Sequence, residues 1–175
     1  MVTINGYEKS LLKRLKNSDD AAWQECFDKY APDIYTFLSH KLPTAQDAED
    51  VLSDTWAALI GAVWTFDEKA TLRTFIFRVA YFKMVDFWRK REKYRPEIPI
   101  DKMLNSLVSS GPTSKSLEIQ EAFSALPARY QDILLMSYVT GLNVKEIAAV
   151  MDCTYKAAES CLTRARKKLD ENLRR

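Results

Sequence analysis

The sequence predicts an all-α protein of two small helical domains joined by a flexible linker. Its 175 residues include only four Gly and six Pro, while Ala, Leu, Lys, Arg and Glu are frequent, as helices prefer. Apolar residues recur at helical spacing in two stretches of the chain. Between these stretches, residues 95–115 are rich in Pro, Gly and Ser, which is typical of a linker. We therefore expect domains at residues 1–94 and 116–175.

The first domain is predicted to begin with two helices. Apolar residues from Tyr7 to Leu15 form the stripe of a short amphipathic helix. A second helix follows from Trp23. Pro32 is expected to interrupt it before Pro43 ends it, because proline lacks the backbone donor that a helix interior needs.

Two further helices are predicted in the same domain. Thr44 and Asp47 stand three residues apart and resemble a capping box that opens the third helix. Thr71 begins a long fourth helix that reaches about Lys93. Its predicted inner edge consists of Leu72, Phe75, Ile76, Val79 and either Phe82 or Lys83.

The second domain is predicted to end in a helix-turn-helix. Helices at 117–126 and 130–139 are separated by Pro127, and Gly141 closes the second of them. Asn143 with Glu146 forms a capping box for the next helix. The last helix has an apolar inner stripe of Ala158, Leu162, Ala165 and Leu169. The alternative is an ordinary helical hairpin whose basic C-terminal turn is solvated.

A helix-turn-helix predicts contact with duplex DNA. The N-terminal part of its second helix normally enters the major groove, so Lys156, Ser160 and Thr163 should meet base edges while later cations hold phosphates. Glu159 can accept a hydrogen bond only from a base amino group such as that of cytosine. The predicted DNA-contacting residues of this helix are Tyr155, Lys156, Glu159, Ser160, Thr163, Arg164, Lys167 and Lys168.

Charge is segregated along the first domain, which suggests one basic partner and one anionic partner. Residues 19–54 hold nine acids and two bases, whereas residues 69–95 hold nine bases and two acids. Aromatic residues alternate with the bases in the fourth helix, and single-stranded DNA is bound by rings that stack on bases and cations that follow phosphates. Most of these rings are expected in the core. The residues predicted to contact DNA here are Arg78, Lys83, Trp88 and Arg89.

The third helix is predicted to present an acidic outer strip. Asp47, Asp50 and Asp54 share one face, with Glu49 beside it. Acidic residues near a helix N-terminus also stabilise the helix by themselves, because they lie at the positive end of its dipole. No His or Cys lies nearby to complete a metal site. A protein-docking face is therefore predicted. Its residues are Asp47, Glu49, Asp50, Asp54 and Trp56.

No metal, cofactor or catalytic residue is predicted. Cys26, Cys153 and Cys161 fit no zinc spacing and suggest buried free thiols in a reducing compartment. The N-terminus lacks a basic-then-apolar signal and no apolar run is long enough to cross a membrane. We expect a cytoplasmic protein, with its single histidine, His40, at the surface.

Several segments of the sequence stand in a characteristic order and spacing. The segments are Asp47-Ala-Glu-Asp-Val-Leu52, Phe66-Asp67, Leu72-Arg-Thr-Phe-Ile-Phe-Arg-Val-Ala80, Asp86, Leu126-Pro127 and the terminal helix-turn-helix. Together they resemble the extracytoplasmic-function sigma factors of bacteria, group IV of the sigma-70 family. The resemblance implies a non-enzymatic, dissociable initiation subunit of RNA polymerase, with region 2 at about residues 19–94 and region 4 at about 116–175.

The resemblance also implies partners. In that family the acidic helix corresponding to residues 47–56 docks on the clamp helices of the β′ subunit. Region 2 melts and reads the −10 element of the promoter, and region 4 reads the −35 element. Core RNA polymerase, through its β′ clamp helices and β flap, is thus an expected partner, as is promoter DNA. An anti-sigma factor or another regulatory partner is also expected, and membrane insertion is not.

Some positions depart from the family pattern. Tyr81-Phe82 stands where Arg-Asn is frequent, Asp152 where Gly is common in the turn, and Glu159 and Cys161 where Lys and Arg are frequent. The alternative function is that of a helix-turn-helix regulator acting without core polymerase, and a helical enzyme using the acidic cluster is a third class. A repressor would need neither an acidic docking helix nor an aromatic and basic helix.

Overall fold

The computed structural model describes residues 4–91 and 114–174, with side chains in the second range from residue 118. Regular structure within these ranges is entirely helical, which confirms the predicted all-α class. The helices are α1 (Gly6–Lys16), α2 (Asp20–Lys41), α3 (Ala45–Ala62), α4 (Leu72–Lys90), α5 (Ser114–Ser124), α6 (Ala128–Tyr138), α7 (Val144–Val150) and α8 (Tyr155–Leu173). A 3-10 turn, Val63–Thr65, extends α3. The predicted linker lies outside the described residues, except that its last two positions belong to α5.

Helix α2 runs unbroken from Asp20 to Lys41, so the predicted interruption at Pro32 is wrong. A proline inside a helix costs about 3 kcal/mol. Ile34, Phe37 and Leu38 are fully buried along the continued helix, and each such side chain contributes about 1.5–3 kcal/mol on burial. The packing therefore outweighs the missing hydrogen bond.

His40, near the end of α2, is buried, with 7% of its surface exposed. Its predicted position at the surface is therefore wrong. His40 precedes Lys41, whose ammonium group contacts Asp132 of α6. The contact between α2 and α6 joins distant parts of the chain. No local pattern in the sequence reveals it, so a histidine on a helix end was expected to be solvated.

Side-chain caps fix the beginnings of α3 and α4. The Thr44 hydroxyl accepts a hydrogen bond from the backbone N–H of Asp47 at 3.0 Å, and Thr71 does the same for Thr74 at 3.1 Å. These caps satisfy backbone donors that the first turn of a helix leaves free. The two helices then pack along each other and enclose the core of the N-terminal half.

The buried face of α4 is wider than one amphipathic stripe. Its buried apolar residues are Leu72, Ile76, Phe77, Ala80 and Met84. The predicted inner edge is confirmed for Leu72 and Ile76, whereas Phe82 is 40% exposed and does not belong to it. Phe77 was not expected there. The reason is that α4 also packs against α2, where the ring of Phe37 lies 6.3 Å from that of Phe77.

Helices α5 to α8 form the C-terminal half, in which α8 packs against the other three. Ala158, Leu162 and Ala165 are buried, which confirms the predicted inner stripe of α8. Gly141 ends the preceding hairpin in a left-handed conformation, with φ 67°, and Leu142 donates to the carbonyl of Met136 at 2.9 Å. The C-cap of α6 is Val139, so the predicted cap at Gly141 is wrong, and this glycine turns the chain two residues further on. The position favours glycine because other residues pay for a positive φ.

The two halves, residues 4–91 (the N-terminal unit) and 114–174 (the C-terminal unit), lie in contact. Their buried apolar residues form one continuous cluster. Helix α4 packs along α7, and the end of α2 meets α6. The arrangement places the turn of the helix-turn-helix beside α4.

Candidate nucleic-acid interface and docking face

The turn between α7 and α8 is set by local hydrogen bonds. Asn143 caps α7 by accepting from the backbone N–H of Glu146 at 3.1 Å, and the Glu146 carboxylate accepts from the Asn143 N–H at 2.9 Å. This is the predicted capping box, and it is confirmed. Asp152 adopts a positive φ of 53° in the turn, a conformation that Asp tolerates better than most residues. Thr154 then caps α8 through the N–H of Ala157 at 3.2 Å.

Helix α8 presents a polar, mainly basic face to solvent. Its exposed predicted residues are Tyr155, Lys156, Glu159, Thr163, Arg164 and Lys167. Ser160 and Lys168 are half-buried, and Lys168 is held near Glu171 at 3.4 Å. The helix therefore offers one continuous face of hydrogen-bonding and cationic groups opposite its buried alanines and Leu162.

Glu159 is engaged within this face. Its Oε1 accepts a hydrogen bond from the Tyr155 hydroxyl at 3.2 Å, and its backbone carbonyl accepts from the Thr163 hydroxyl at 3.0 Å. The negative charge of Glu159 and the hydrogen bond that its carboxylate accepts from the Tyr155 hydroxyl both raise the pKa of Tyr155. Tyr155 therefore stays protonated and can hold the carboxylate in place at neutral pH.

The predicted DNA residues of α4 do not share one environment. Arg78 donates to Asp152 of the helix-turn-helix turn at 3.0 Å and to the carbonyl of Ala149 at 3.3 Å. Lys83 and Trp88 are half-buried. Arg89 is well exposed and lies 3.1 Å from Asp86. The structure thus brings Arg78 to the C-terminal unit, while Arg89 stays at the surface near the end of α4.

The acidic strip of α3 is shorter than predicted. Glu49, Asp50 and Asp54 are exposed, but Asp47 is buried, so its predicted outward placement is wrong. Asp47 lies 3.1 Å from Arg91. It also accepts a hydrogen bond from the Thr44 hydroxyl at 2.7 Å. The beginning of α3 and the end of α4 therefore hold this carboxylate, and three acids remain for an external partner.

Two exposed apolar residues, Ile60 and Trp64, continue the predicted docking face beyond Trp56 and were not predicted from the sequence. Trp56 is half-buried, and its ring lies 5.1 Å from that of Phe27. Beyond it, Ile60 is 59% and Trp64 61% exposed. The signal was present: Trp56, Ile60 and Trp64 are four residues apart, off the stripe already assigned to the core. Exposed apolar residues beside charges are common at protein-binding surfaces.

Two further findings bear on the kind of protein. In residues 4–91 and 114–174, no three His, Cys, Asp or Glu side chains come together as a candidate metal site. None of the helices described is long and apolar enough to cross a membrane.

Comparison with known proteins gives a consistent family. The description "Sigma-70 region 2" matches residues 26–94, and "Sigma-70, region 4" matches residues 116–169. The chain is 28% identical to ECF RNA polymerase sigma factor SigF of Caulobacter vibrioides, over 95% of this chain and 94% of the relative. It is 30% identical to ECF RNA polymerase sigma factor SigM of Bacillus subtilis, over 83% of this chain and 91% of the relative.

Solved structures agree on the fold. CnrH in complex with the cytosolic domain of CnrY matches with a TM-score of 0.73 at 21% identity, over 95% of this chain and 96% of the other. RpoE in complex with the anti-sigma factor NepR, from Bartonella quintana, matches with a TM-score of 0.66 at 18% identity, over 86% and 96%.

The two matched regions, on an all-helical fold that exposes a basic helix-turn-helix face, define a protein of the sigma-70 class. The chain belongs to the extracytoplasmic-function sigma factors. It directs promoter-specific transcription initiation together with core RNA polymerase. A regulator acting without polymerase is not favoured, because residues 26–94 match sigma-70 region 2. Sigma factors as a family are initiation factors and not enzymes.

Proposed function

We propose that the two regions of this sigma factor have separate roles. Residues 1–94 act as region 2, which docks on core polymerase and opens the −10 element. Residues 116–175 act as region 4, which reads the −35 element, and residues 95–115 link them. The ranges of the two family matches support these boundaries. The protein works in the cytoplasm, where its polymerase is, and has no catalytic activity of its own.

Recognition of the −35 element is assigned to α8. The observation that carries this assignment is the exposed face of the helix, from Lys156 to Lys167, set opposite a buried stripe that fixes its orientation. A helix held in this way can lie in the major groove with its first turns against base edges. Lys156 and Thr163 are placed to read bases, and Arg164, Lys167 and Lys168 to hold phosphates.

Contact with the −10 region is assigned to α4. Arg78, Lys83, Trp88 and Arg89 follow one another along the helix and supply cations and a ring for unpaired bases. Arg89 can reach phosphates once its exposed ion pair with Asp86 breaks. Breaking it costs little, because a surface ion pair contributes only about 0–1 kcal/mol to stability. Arg78 reaches DNA only when it leaves Asp152.

Docking on core polymerase is assigned to the outer face of α3. Glu49, Asp50 and Asp54 supply charge, and Trp56 with the neighbouring Ile60 and Trp64 supplies apolar surface. The expected partners are the β′ clamp helices for this face and the β flap for the C-terminal unit. An anti-sigma partner is also proposed, since RpoE, a structural neighbour of this chain, was solved with the anti-sigma factor NepR.

The proposed function is tested by reconstituted transcription. Purified chain is added to core polymerase on a library of promoter fragments, and transcripts are sequenced. We expect initiation from a subset of fragments that share −35 and −10 sequences. Core polymerase alone serves as the control. Selective DNA binding without any polymerase-dependent initiation would instead establish the regulator that acts alone.

Changing Lys167 to Ala is expected to weaken binding to all −35 sequences alike. Lys167 lies about one turn beyond Thr163, the last residue proposed to read bases, and is exposed, so it is placed for a phosphate. Loss of one phosphate contact should lower the slope of log affinity against log salt by about one unit. Titration of a labelled promoter duplex at several salt concentrations measures this slope. The matched control is Lys145→Ala, which removes an exposed lysine on α7.

A further inference from the structure

Arg166 of α8 is not among the residues that were predicted from the sequence to contact DNA, yet its side chain has a defined place in the structure. Its guanidinium carbon lies 5.5 Å from the centre of the Tyr138 ring, and a cation over the face of a ring is attracted to it. Tyr138 is the last residue of α6 and is 57% exposed. Arg166 is exposed as well. The pair therefore joins two helices of the C-terminal unit at its surface.

The guanidinium group of Arg166 can accept an external anion. Within the part of the chain that the structure describes, Arg166 contacts the Tyr138 ring and no carboxylate. The acids on the same side of α8 are engaged elsewhere: Asp170 is held by Arg174 at 2.8 Å, and Glu159 accepts from the Tyr155 hydroxyl at 3.2 Å. A guanidinium group over a ring keeps the N–H donors at its edge for a phosphate or a carboxylate.

Arg166 and Arg164 lie on opposite flanks of α8. Successive residues of a helix point about 100° apart, because there are about 3.6 residues per turn. Lys156 and Thr163, which are proposed to read bases, therefore point within about 20° of each other. Arg166 is turned from them by about 60–80° to one side, and Arg164 by about 80–100° to the other. Both arginines are exposed, so one cation stands on each side of the base-reading face.

A helix in the major groove lies between the two backbones of the duplex. The groove is about 12 Å wide, and an α-helix with its side chains is about 10–12 Å across. A helix that fills the groove presents its outward face to base edges and each flank to the phosphates of a different strand. Lys167, the residue after Arg166, is already proposed to hold a phosphate. Arg166 therefore lies at a suitable depth along α8 to do the same on its own flank.

We propose that Arg166, positioned by the ring of Tyr138, contacts a phosphate on one DNA strand of the −35 element while Arg164 contacts the other strand. This inference rests on the proposed reading of the −35 element by α8. Tyr138 acts as a positioning residue: its ring restricts the arginine before DNA binds, which lowers the entropic cost of the contact. Phosphate contacts on both flanks then hold α8 in register with the base edges.

Single neutral phosphates locate the two contacts. The full chain with core polymerase is titrated onto a promoter selected from the fragment library, with one methylphosphonate at a time in either strand of the −35 element. Each methylphosphonate that removes a contacted charge should weaken binding by the parent. In Arg166→Ala, this sensitivity should disappear at phosphates of one strand only. Arg164→Ala, the matched control that removes the same charge two residues away, should lose it on the other strand.

Salt dependence separates the charge of Arg166 from its positioning by Tyr138. One phosphate contact contributes about −0.9 to the slope of log affinity against log salt. The affinity advantage of the parent over Arg166→Ala should therefore shrink about 3.5-fold between about 50 and 200 mM salt. Tyr138→Ala should weaken binding about two- to fivefold while keeping the slope of the parent, because the charge remains. Tyr138→Phe restores the ring and should rescue the affinity.

Three results would overturn the assignment. The first is an Arg166→Ala variant with the salt slope and methylphosphonate pattern of the parent, and the second is loss of sensitivity on the same strand in both arginine variants. In these two cases the parent still senses the −35 phosphates, so the proposed function of α8 stands. The third is weaker binding to core polymerase with unchanged DNA contacts, which would assign Arg166 to an acidic surface of the polymerase. A parent insensitive to every methylphosphonate in the −35 element would contradict the proposed function as well.

Discussion

Reversal of the exposed acids of α3 is expected to weaken core polymerase binding by about 2–5 kcal/mol, the range for a charge pair that becomes desolvated at an interface. The variant is Asp50→Lys/Asp54→Lys. Both side chains are exposed in the free protein, so the fold should persist. If the charges stay solvated in the complex, the loss falls to about 0–1 kcal/mol per pair. Titration of labelled sigma factor with core polymerase measures the affinity.

The control variant must change the net charge by the same amount at residues outside α3. Glu68→Lys/Glu121→Lys reverses two exposed acids, one in the loop before α4 and one on α5. It should bind core polymerase nearly as the parent does. If the α3 variant binds as tightly as this control, α3 does not form the docking face. Asp47 is unsuited to the test, because its substitution removes the ion pair with Arg91 and disturbs the beginning of α3.

The burial of Asp47 could not be predicted from the sequence. Its spacing from Asp50 and Asp54 places it near one face. The predicted capping box with Thr44 is confirmed in one half only: the Thr44 hydroxyl accepts from the Asp47 N–H, whereas the Asp47 carboxylate accepts from that hydroxyl and not from the Thr44 N–H. What buries it is Arg91, which lies 44 residues later at the end of α4. Helical periodicity reports which residues share a face of one helix. It does not report which other helix covers that face.

Elements specified locally were predicted well. The capping box at Asn143 and Glu146 and the inner stripe of α8 depend on residues within a few positions of one another. The burial of Phe77 and His40 was missed, because their neighbours are distant in sequence: Phe77 packs against Phe37 of α2, and α2 meets α6 of the other half of the chain. The ion pair of Lys41 with Asp132 has no signal in the sequence, because the two residues belong to different units and meet only when these pack together.

Changing Lys156 to Ala is expected to alter which −35 sequences are preferred, at a cost of about 1–3 kcal/mol for the best site. Lys156 is exposed on the first turn of α8, where a helix in the major groove meets base edges. A lysine there donates to acceptors such as guanine O6 and N7. Its loss should therefore relax preference at one position and leave the others unchanged.

Thr163→Ala should act at a different position and in a different way. The Thr163 hydroxyl already donates to the carbonyl of Glu159, so toward DNA it offers its methyl group and acceptor lone pairs. These suit a thymine methyl or a base amino group. Glu159 likewise accepts from Tyr155, and Tyr155→Phe should free its carboxylate and strengthen any preference for cytosine.

The measurement is transcription from a library randomised at the −35 element, with each variant compared with the parent. Lys167→Ala is the matched control, because it should lower initiation from all sequences without changing their order. Altered preference for Lys156→Ala and Thr163→Ala, with order kept for Lys167→Ala, places base reading on the first turns of α8. Unaltered preference in all three, with activity retained, would mean that α8 contacts only the DNA backbone and that promoter choice is made by the N-terminal unit.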